Sequence, residues 1–149
     1  ISVGIPLTSK QTTIEAYKYL NPIYDALGVT EARRKVADHY DNFFAQFPQI
    51  KTPVRGKESK HVFHQYTMTL DGIDRDELNA FLATKDVPSM IYYPVPAHKQ
   101  KMFSFLNLPE VNLPKTDELT RKVFSLPIHT EMDEQQLDYI IQHVLSFFK

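Results

Sequence analysis

Apolar and polar positions along this chain follow two periods, one helical and one strand-like, and the switches between them mark out short elements. From Thr30, which reads as an N-cap with Glu31 in the first turn, the residues Ala32, Val36, Tyr40, Phe43, Phe44 and Phe47 recur at helical spacing until Pro48. The pattern predicts a helix with an aromatic face. Lys51 to Lys60 is polar and carries Pro53 and Gly56, the composition of a loop. Val62 to Leu70 then alternates, with Val62, His64, Tyr66, Met68 and Leu70 on one face and Phe63, Gln65, Thr67 and Thr69 on the other. A half-buried strand is expected there.

Asp74 with Glu77 makes a start resembling a capping box for a short helix that buries Leu78, Phe81 and Leu82. Val87-Pro88 leads into a second strand, His98 to Leu106 reads as a short helix and Pro109 to Pro114 as a loop. Glu118 to Phe124 reads as a further helix, carrying Leu119 and Val123. The last helix has the plainest pattern: Asp133 caps it, Gln136 closes a capping box, and Leu137, Ile140, Ile141, Val144, Leu145 and Phe148 form one apolar stripe. Thr12 to Leu20 reads as a short helix limited by Pro22, but residues 1–30 as a whole follow neither period. The expected organisation is therefore a degenerate N-terminal segment or linker over 1–30 and one domain over 31–149. Its fold class is an α/β sandwich, a small, mainly antiparallel sheet with helices packed on one face. No internal repeat or low-complexity stretch interrupts it.

Composition narrows the function classes. The 149 residues suffice for one core, burying about 68 to 70% of the surface the unfolded chain exposes. The absence of cysteine excludes disulfides, thiolate metal sites and cysteine nucleophiles. Lys and Arg total 17 against 18 Asp and Glu, interspersed, so there is no electrostatic footprint for nucleic acid. Without a signal-like segment or long apolar run, the expectation is a cytoplasmic protein with no membrane association. The aromatics Tyr40, Phe43, Phe44 and Phe47, together with Tyr17, Tyr19 and Tyr24, exceed what one small sheet needs. Part of that surface is expected to meet another chain or domain.

Candidate chemistry concentrates in Met90-Ile91-Tyr92-Tyr93-Pro94-Val95-Pro96-Ala97-His98. Each proline fixes φ near about −65°, lacks an N–H and pushes the preceding residue to extended geometry. The phenols of Tyr92 and Tyr93 and the imidazole of His98 are thus held at a strand exit, where they can meet a ligand. A half-buried tyrosine with a bonded hydroxyl is the competing reading, and it weighs more on Tyr93 than on Tyr92. His61 and His64 point to opposite faces of a strand, which argues against a zinc pair. His129-Thr130-Glu131 can be read as an acid/base pair, with a capping or loop role as the weightier reading. No Ser-His-Asp order, P-loop or dinucleotide fingerprint occurs.

The Tyr92 to His98 stretch resembles the H/Y-Y-P-x-P-x-H segment in the C-terminal small domain of the DegT/StrS family, the PLP-dependent aminotransferases of nucleotide-linked keto-sugars. His61-Val62-Phe63-His64-Gln65-Tyr66-Thr67 is similar to that family's HVYHQYT strand. Ser125-Leu126-Pro127-Ile128-His129 and Met132 to Ile140 are similar to its SLPMHPELTDEQIDYV ending. The resemblance implies a fold-type-I aminotransferase with pyridoxal phosphate and a homodimer with active sites at the subunit interface. It also implies glutamate as amino donor and a nucleotide-sugar acceptor, most similar to UDP-linked N-acetylated sugars on the way to surface polysaccharide. Tyr92, Tyr93 and His98 would then contact substrate. Thr8 and Lys10 stand where the family has N-x-R, the pair that reaches the cofactor phosphate or substrate of the neighbouring subunit. Lysine offers a point charge there but not arginine's planar fork, and a solvated terminal lysine is the competing reading. Nothing matches the family's S-F-x-x-x-K region that holds the Schiff-base lysine. The expectation is a chain without catalytic residues of its own, lacking the large domain and inactive alone. The alternative is a stand-alone, non-catalytic α/β module that binds a ligand or a protein, because domain resemblance alone does not carry function.

Overall fold

The computed structural model describes residues 20, 22–23, 25–106, 109 and 111–148. Most of the expected Thr12 to Leu20 helix, with Thr8 and Lys10, lies outside the described residues. The first long helix, α1 (Val29–Phe44), starts before Thr30, and its N-cap is Gly28 at φ 68° with no side-chain bond. The cause lies upstream. Leu27 and Gly28 donate to the carbonyls of Ile23 and Asp25 at 3.0 and 3.1 Å, so a helical turn runs directly into the glycine. Glycine takes the left-handed conformation at no steric cost, which lets one turn end and the next helix begin at once.

Tyr40 and Phe44 on α1 are fully buried, while Phe43 is 39% exposed. Phe47 follows the helix end and packs half-buried against the core. Of the aromatics expected to seek a partner, Tyr40 and Phe44 are thus consumed inside the domain, while Tyr17, Tyr19 and Tyr24 lie outside the described residues. Exposed apolar residues gather instead between Met90 and Leu113, where Tyr93, Met102 and Phe105 are 73, 64 and 74% exposed.

Three antiparallel strands form the sheet in the order β1 (Ile50–Lys51), β2 (Tyr66–Leu70) and β3 (Val123–Leu126). Across the β2–β3 pair, Tyr66, Thr67, Met68 and Thr69 face Leu126, Ser125, Phe124 and Val123. The expected alternation holds over this stretch, with Tyr66, Met68 and Leu70 buried. The strand is shorter than the pattern because Phe63 adopts φ 45°, a left-handed conformation costly for a bulky L-residue. Compensation is local: the Phe63 N–H donates to Nδ1 of His61 at 3.0 Å, and Arg55 sits 4.8 Å over the Phe63 ring. The ring itself is fully buried.

Asp74 caps α2 (Arg75–Ala83) by accepting from the N–H groups of Asp76 and Glu77, and Leu78 and Leu82 are buried as expected. The segment from Pro88 onward is a strand only at Met90, which exchanges two backbone bonds of 2.9 and 3.0 Å with Ser125. His98 to Leu106 forms two short 3-10 turns, Ala97–Lys99 and Lys101–Leu106, in place of a helix. The expected helix over Glu118 to Phe124 is corrected on both sides. Pro114 opens α3 (Pro114–Lys122), and the chain then turns into β3, so Val123 and Phe124 belong to the sheet. A proline in the first helical turn needs no N–H partner and was legible as a helix start.

The last helix, α4 (Glu134–Ser146), carries the complete capping box between Asp133 and Gln136 and buries Leu137, Ile140, Ile141 and Val144. Helices α1 and α4 pack together, and His39 Nε2 lies 3.0 Å from Asp138 Oδ1 across that seam. A polar network ties α1, β2 and the intervening loop. The Tyr66 hydroxyl donates to Asp41 Oδ1 at 2.7 Å, and Arg55 bridges Asp41 and Asp38 at 2.5 and 2.6 Å. Burial first, and then the carboxylate of Asp41, push the Tyr66 phenol far above its ordinary range. Tyr66→Phe keeps the ring and removes only the bond to a charged acceptor, so it should lower stability by about 1.5 to 3 kcal/mol. Urea unfolding measures this, and an unchanged midpoint would mean that solvent takes over the acceptor at no cost.

Candidate functional site

Three of the segments singled out in the sequence converge on one cleft of about 260 Å³. It is lined by His64 and Gln65 ahead of β2, by Pro88, Ser89, Met90 and Tyr92, and by Ser125 to Ile128 at the end of β3. Sheet register brings them together: β2 pairs with β3, and Met90 pairs with Ser125 on the other edge of β3. The floor is fixed by side-chain bonds. Thr67 and Ser125 hydroxyls meet at 2.8 Å, the Ser89 hydroxyl donates to Asn79 Oδ1 at 2.9 Å, and the Tyr40 hydroxyl donates to the Pro127 carbonyl at 3.0 Å.

Tyr92 is also a wall of a second open cleft, of about 500 Å³, shared with Tyr93, Pro94, Val95, Lys99, Gln100, Lys101 and Met102. Tyr92 and Tyr93 are 48 and 73% exposed, so their phenols face solvent and a ligand can reach them. Aromatic faces and ammonium groups on one cleft suit a flat ring joined to an anion. His98 lines neither cleft. Its Nε2 lies 3.9 Å from Asp117 Oδ1 in the first turn of α3, while Lys99 Nζ bonds Asp117 Oδ2 at 2.7 Å. The structure therefore groups Tyr92 with Tyr93, sets His98 apart, and leaves Thr8 and Lys10 outside the described residues.

Sequence reasoning missed Lys99 and Lys101 as cleft residues, and it weighed His64 only as a metal ligand. The position of His64 inside the His61 to Thr67 motif was the available signal. For the lysines there was none, since their place depends on how the 3-10 turns fold back. His61 Nδ1 accepts from the Phe63 N–H, and His129 Nδ1 accepts from the Glu131 N–H at 3.2 Å, both local turn bonds. Among the described residues no group of three His, Asp or Glu could hold a metal ion. A further cleft, of about 400 Å³, lies beside the start of α4 and meets the motif cleft at Pro88 and Pro127.

The sequence model of the DegT/DnrJ/EryC1/StrS aminotransferase family matches residues 20–145. The chain belongs to this family. It is 35% identical to the "Pleiotropic regulatory protein" of Geobacillus stearothermophilus over 122 residues, 80% of this chain and 32% of that protein. It is 33% identical to a UDP-N-acetyl-3-dehydro-alpha-D-glucosamine 3-aminotransferase of Acidithiobacillus ferrooxidans, over 72% of this chain and 28% of that one. In structure it is similar to DesV of S. venezuelae, solved with a ketimine intermediate, with a TM-score of 0.72 and 28% identity over 80% of this chain and 32% of that chain. A family aminotransferase from Brucella abortus matches with a TM-score of 0.71 and 28% identity, over 91% and 35% of the two chains. The chain thus spans about a third of the length of the relatives it matches. Among its described residues no helix is long and apolar enough to cross a membrane.

A structural neighbour of this DegT-family chain, the putative sugar aminotransferase Spr1654 of Streptococcus pneumoniae, 23% identical, has been solved in PLP and PMP forms. Such a cofactor needs a lysine for the Schiff base, an acid at the pyridinium nitrogen and donors for the phosphate. The described residues of this chain do not fit it. Among them no carboxylate lines the Tyr92 to Met102 cleft to meet a pyridinium nitrogen, Lys99 there is engaged by Asp117, and Lys35 lines an open groove with Glu31 and Glu134, whose negative charge disfavours a phosphate. Borohydride treatment of the isolated chain with PLP should therefore leave no lysine stoichiometrically modified, as read by mass spectrometry. Full conversion of one lysine would contradict this.

Asp117 has a measurable signature. The hydrogen bond from Lys99 holds its carboxyl below the usual carboxylate range. A depressed folded value means that its contribution is present above the unfolded pKa of about 3.9 and is lost as pH falls through the folded value. Amide protection of residues 97–101, corrected for intrinsic exchange, should hold at neutral pH and fall only in acid. Protection lost between neutral pH and pH 5 would show that another group holds the turn.

Proposed function

We propose that this chain is the C-terminal small domain, residues 31–149, of a PLP-dependent aminotransferase that aminates a nucleotide-linked keto-sugar with glutamate as donor. The cofactor and the catalytic lysine belong to the remainder of that protein. The complete enzyme works as a homodimer in the cytoplasm, in the synthesis of sugars for surface polysaccharide. The observation that carries this reading is the convergence of the family's three motif segments on a cleft walled by Tyr92, with Tyr93 and two lysines on its far side. It is supported by relatives named as acting on UDP-linked and dTDP-linked sugars.

In this reading the Tyr92 phenol bonds a sugar hydroxyl or a phosphate oxygen, and the ring of Tyr93 offers a stacking face. Loss of one hydrogen bond to a charged group costs about 1.5 to 3 kcal/mol, roughly a tenfold to hundredfold effect. In the complete enzyme, Tyr92→Phe should raise KM for the nucleotide-sugar by about tenfold. PLP binding and the melting temperature should stay unchanged. Steady-state assays with UDP-linked and dTDP-linked 3-keto and 4-keto sugars would test it. An unfolded variant with unaltered KM in its surviving fraction would make Tyr92 a core residue and sink the proposal. Binding of these sugars without turnover by the complete protein would favour a non-catalytic binding module instead.

A further inference from the structure

The Tyr92-Tyr93 segment lies outside the core, yet both of its ends are held. Within residues 91–97 only Ile91 packs, half-buried, against the core, so packing does not set the shape beyond it. Upstream, Met90 is bound to Ser125 through both backbone groups at 2.9 and 3.0 Å. Downstream, Lys99 Nζ bonds Asp117 Oδ2 at 2.7 Å, and His98 Nε2 lies 3.9 Å from Asp117 Oδ1. That His98 nitrogen is buried and makes no hydrogen bond among the described residues. The side chains of His98 and Asp117 are only 18 and 20% exposed. Arg121 adds its positive charge to the same carboxylate. One carboxylate on α3 thus gathers the first 3-10 turn, and Pro94 and Pro96 transmit that anchoring stiffly back to the tyrosines.

We propose that Asp117 is a positioning residue: by holding Lys99, beside His98, it fixes the downstream end of the Tyr92-Tyr93 segment and so sets the affinity for a nucleotide-linked sugar. The inference rests on the reading of the tyrosine clefts given above. An ion pair this close to solvent adds little to global stability. Its effect is therefore local. Removing it frees the segment, and a ligand must then order side chains that the free protein held in place, which weakens binding roughly threefold to tenfold.

The test uses the complete protein, with UDP-N-acetylglucosamine and dTDP-glucose as probes in titration calorimetry, and hydrogen exchange without ligand. Asp117→Ala should speed exchange at Lys99 and Gln100, whose amides bond the Pro96 and Ala97 carbonyls, leave exchange in α4 and the melting temperature unchanged, and weaken the tighter probe by roughly threefold to tenfold. Asp117→Asn keeps an oxygen to accept from Lys99 and should recover most of the affinity, which also covers the case in which the alanine variant misfolds. Unchanged exchange in both variants, or faster exchange with unchanged affinity, overturns the proposal. If Tyr92→Phe weakens the probe and Asp117→Ala does not, the positioning role falls while the tyrosine site stands. If neither variant matters, or neither probe binds, both fall together.

Discussion

The hydroxyl of Tyr66, donated to Asp41, is the bond on which the arrangement of the domain turns. Tyr66 stands at the start of the central strand with its ring fully buried, 4.8 Å from the ring of Tyr40 on α1. A phenol so placed needs a partner, because a buried polar atom left unbonded costs about as much as several ordinary contacts supply. Asp41 provides that partner from α1, and Arg55 brings in the loop that precedes the strand. Helix, strand and loop are thereby locked in one register. Tyr40 extends the lock to the end of β3 through the Pro127 carbonyl, so the floor of the motif cleft is held by the same aromatic pair.

Elements whose pattern was both local and long were legible in the sequence. The capping box of α4 and its apolar stripe needed nothing beyond side chains within one helix, and the alternation of Tyr66, Met68 and Leu70 needed only one buried face. The misreadings share a physical cause, which is tertiary context overriding a short pattern. Val123 and Phe124 fit helical spacing after Leu119, yet pairing with β2 recruits them to the sheet. Val62 fits the alternation, yet the left-handed Phe63 turns the chain out of the strand. Tyr92 and Tyr93 were legible as presented groups because the prolines restrict the backbone beside them. The pairing of Lys99 with Asp117 and the place of Lys101 in the tyrosine cleft were not legible, since they depend on a fold-back between 3-10 turns and α3 that no local period encodes.

Among the described residues every buried apolar one belongs to α1, the strands, α2, α4 or Phe63 and Val87 beside them. Residues 92–99 form an exposed, proline-stiffened arch anchored to the sheet at Met90 and to α3 through Lys99 and Asp117. That division separates two kinds of constraint. Changes in the core act through packing, where a lost methylene group is felt throughout the domain. In the function proposed, changes at the exposed positions of the arch leave packing untouched and alter only which groups meet a ligand and how firmly they are held. A fold divided in this way can keep one scaffold while its arch is retuned. Relatives named for UDP-linked and dTDP-linked sugars can thus share the scaffold, and specificity is best sought between the two anchors rather than beneath them.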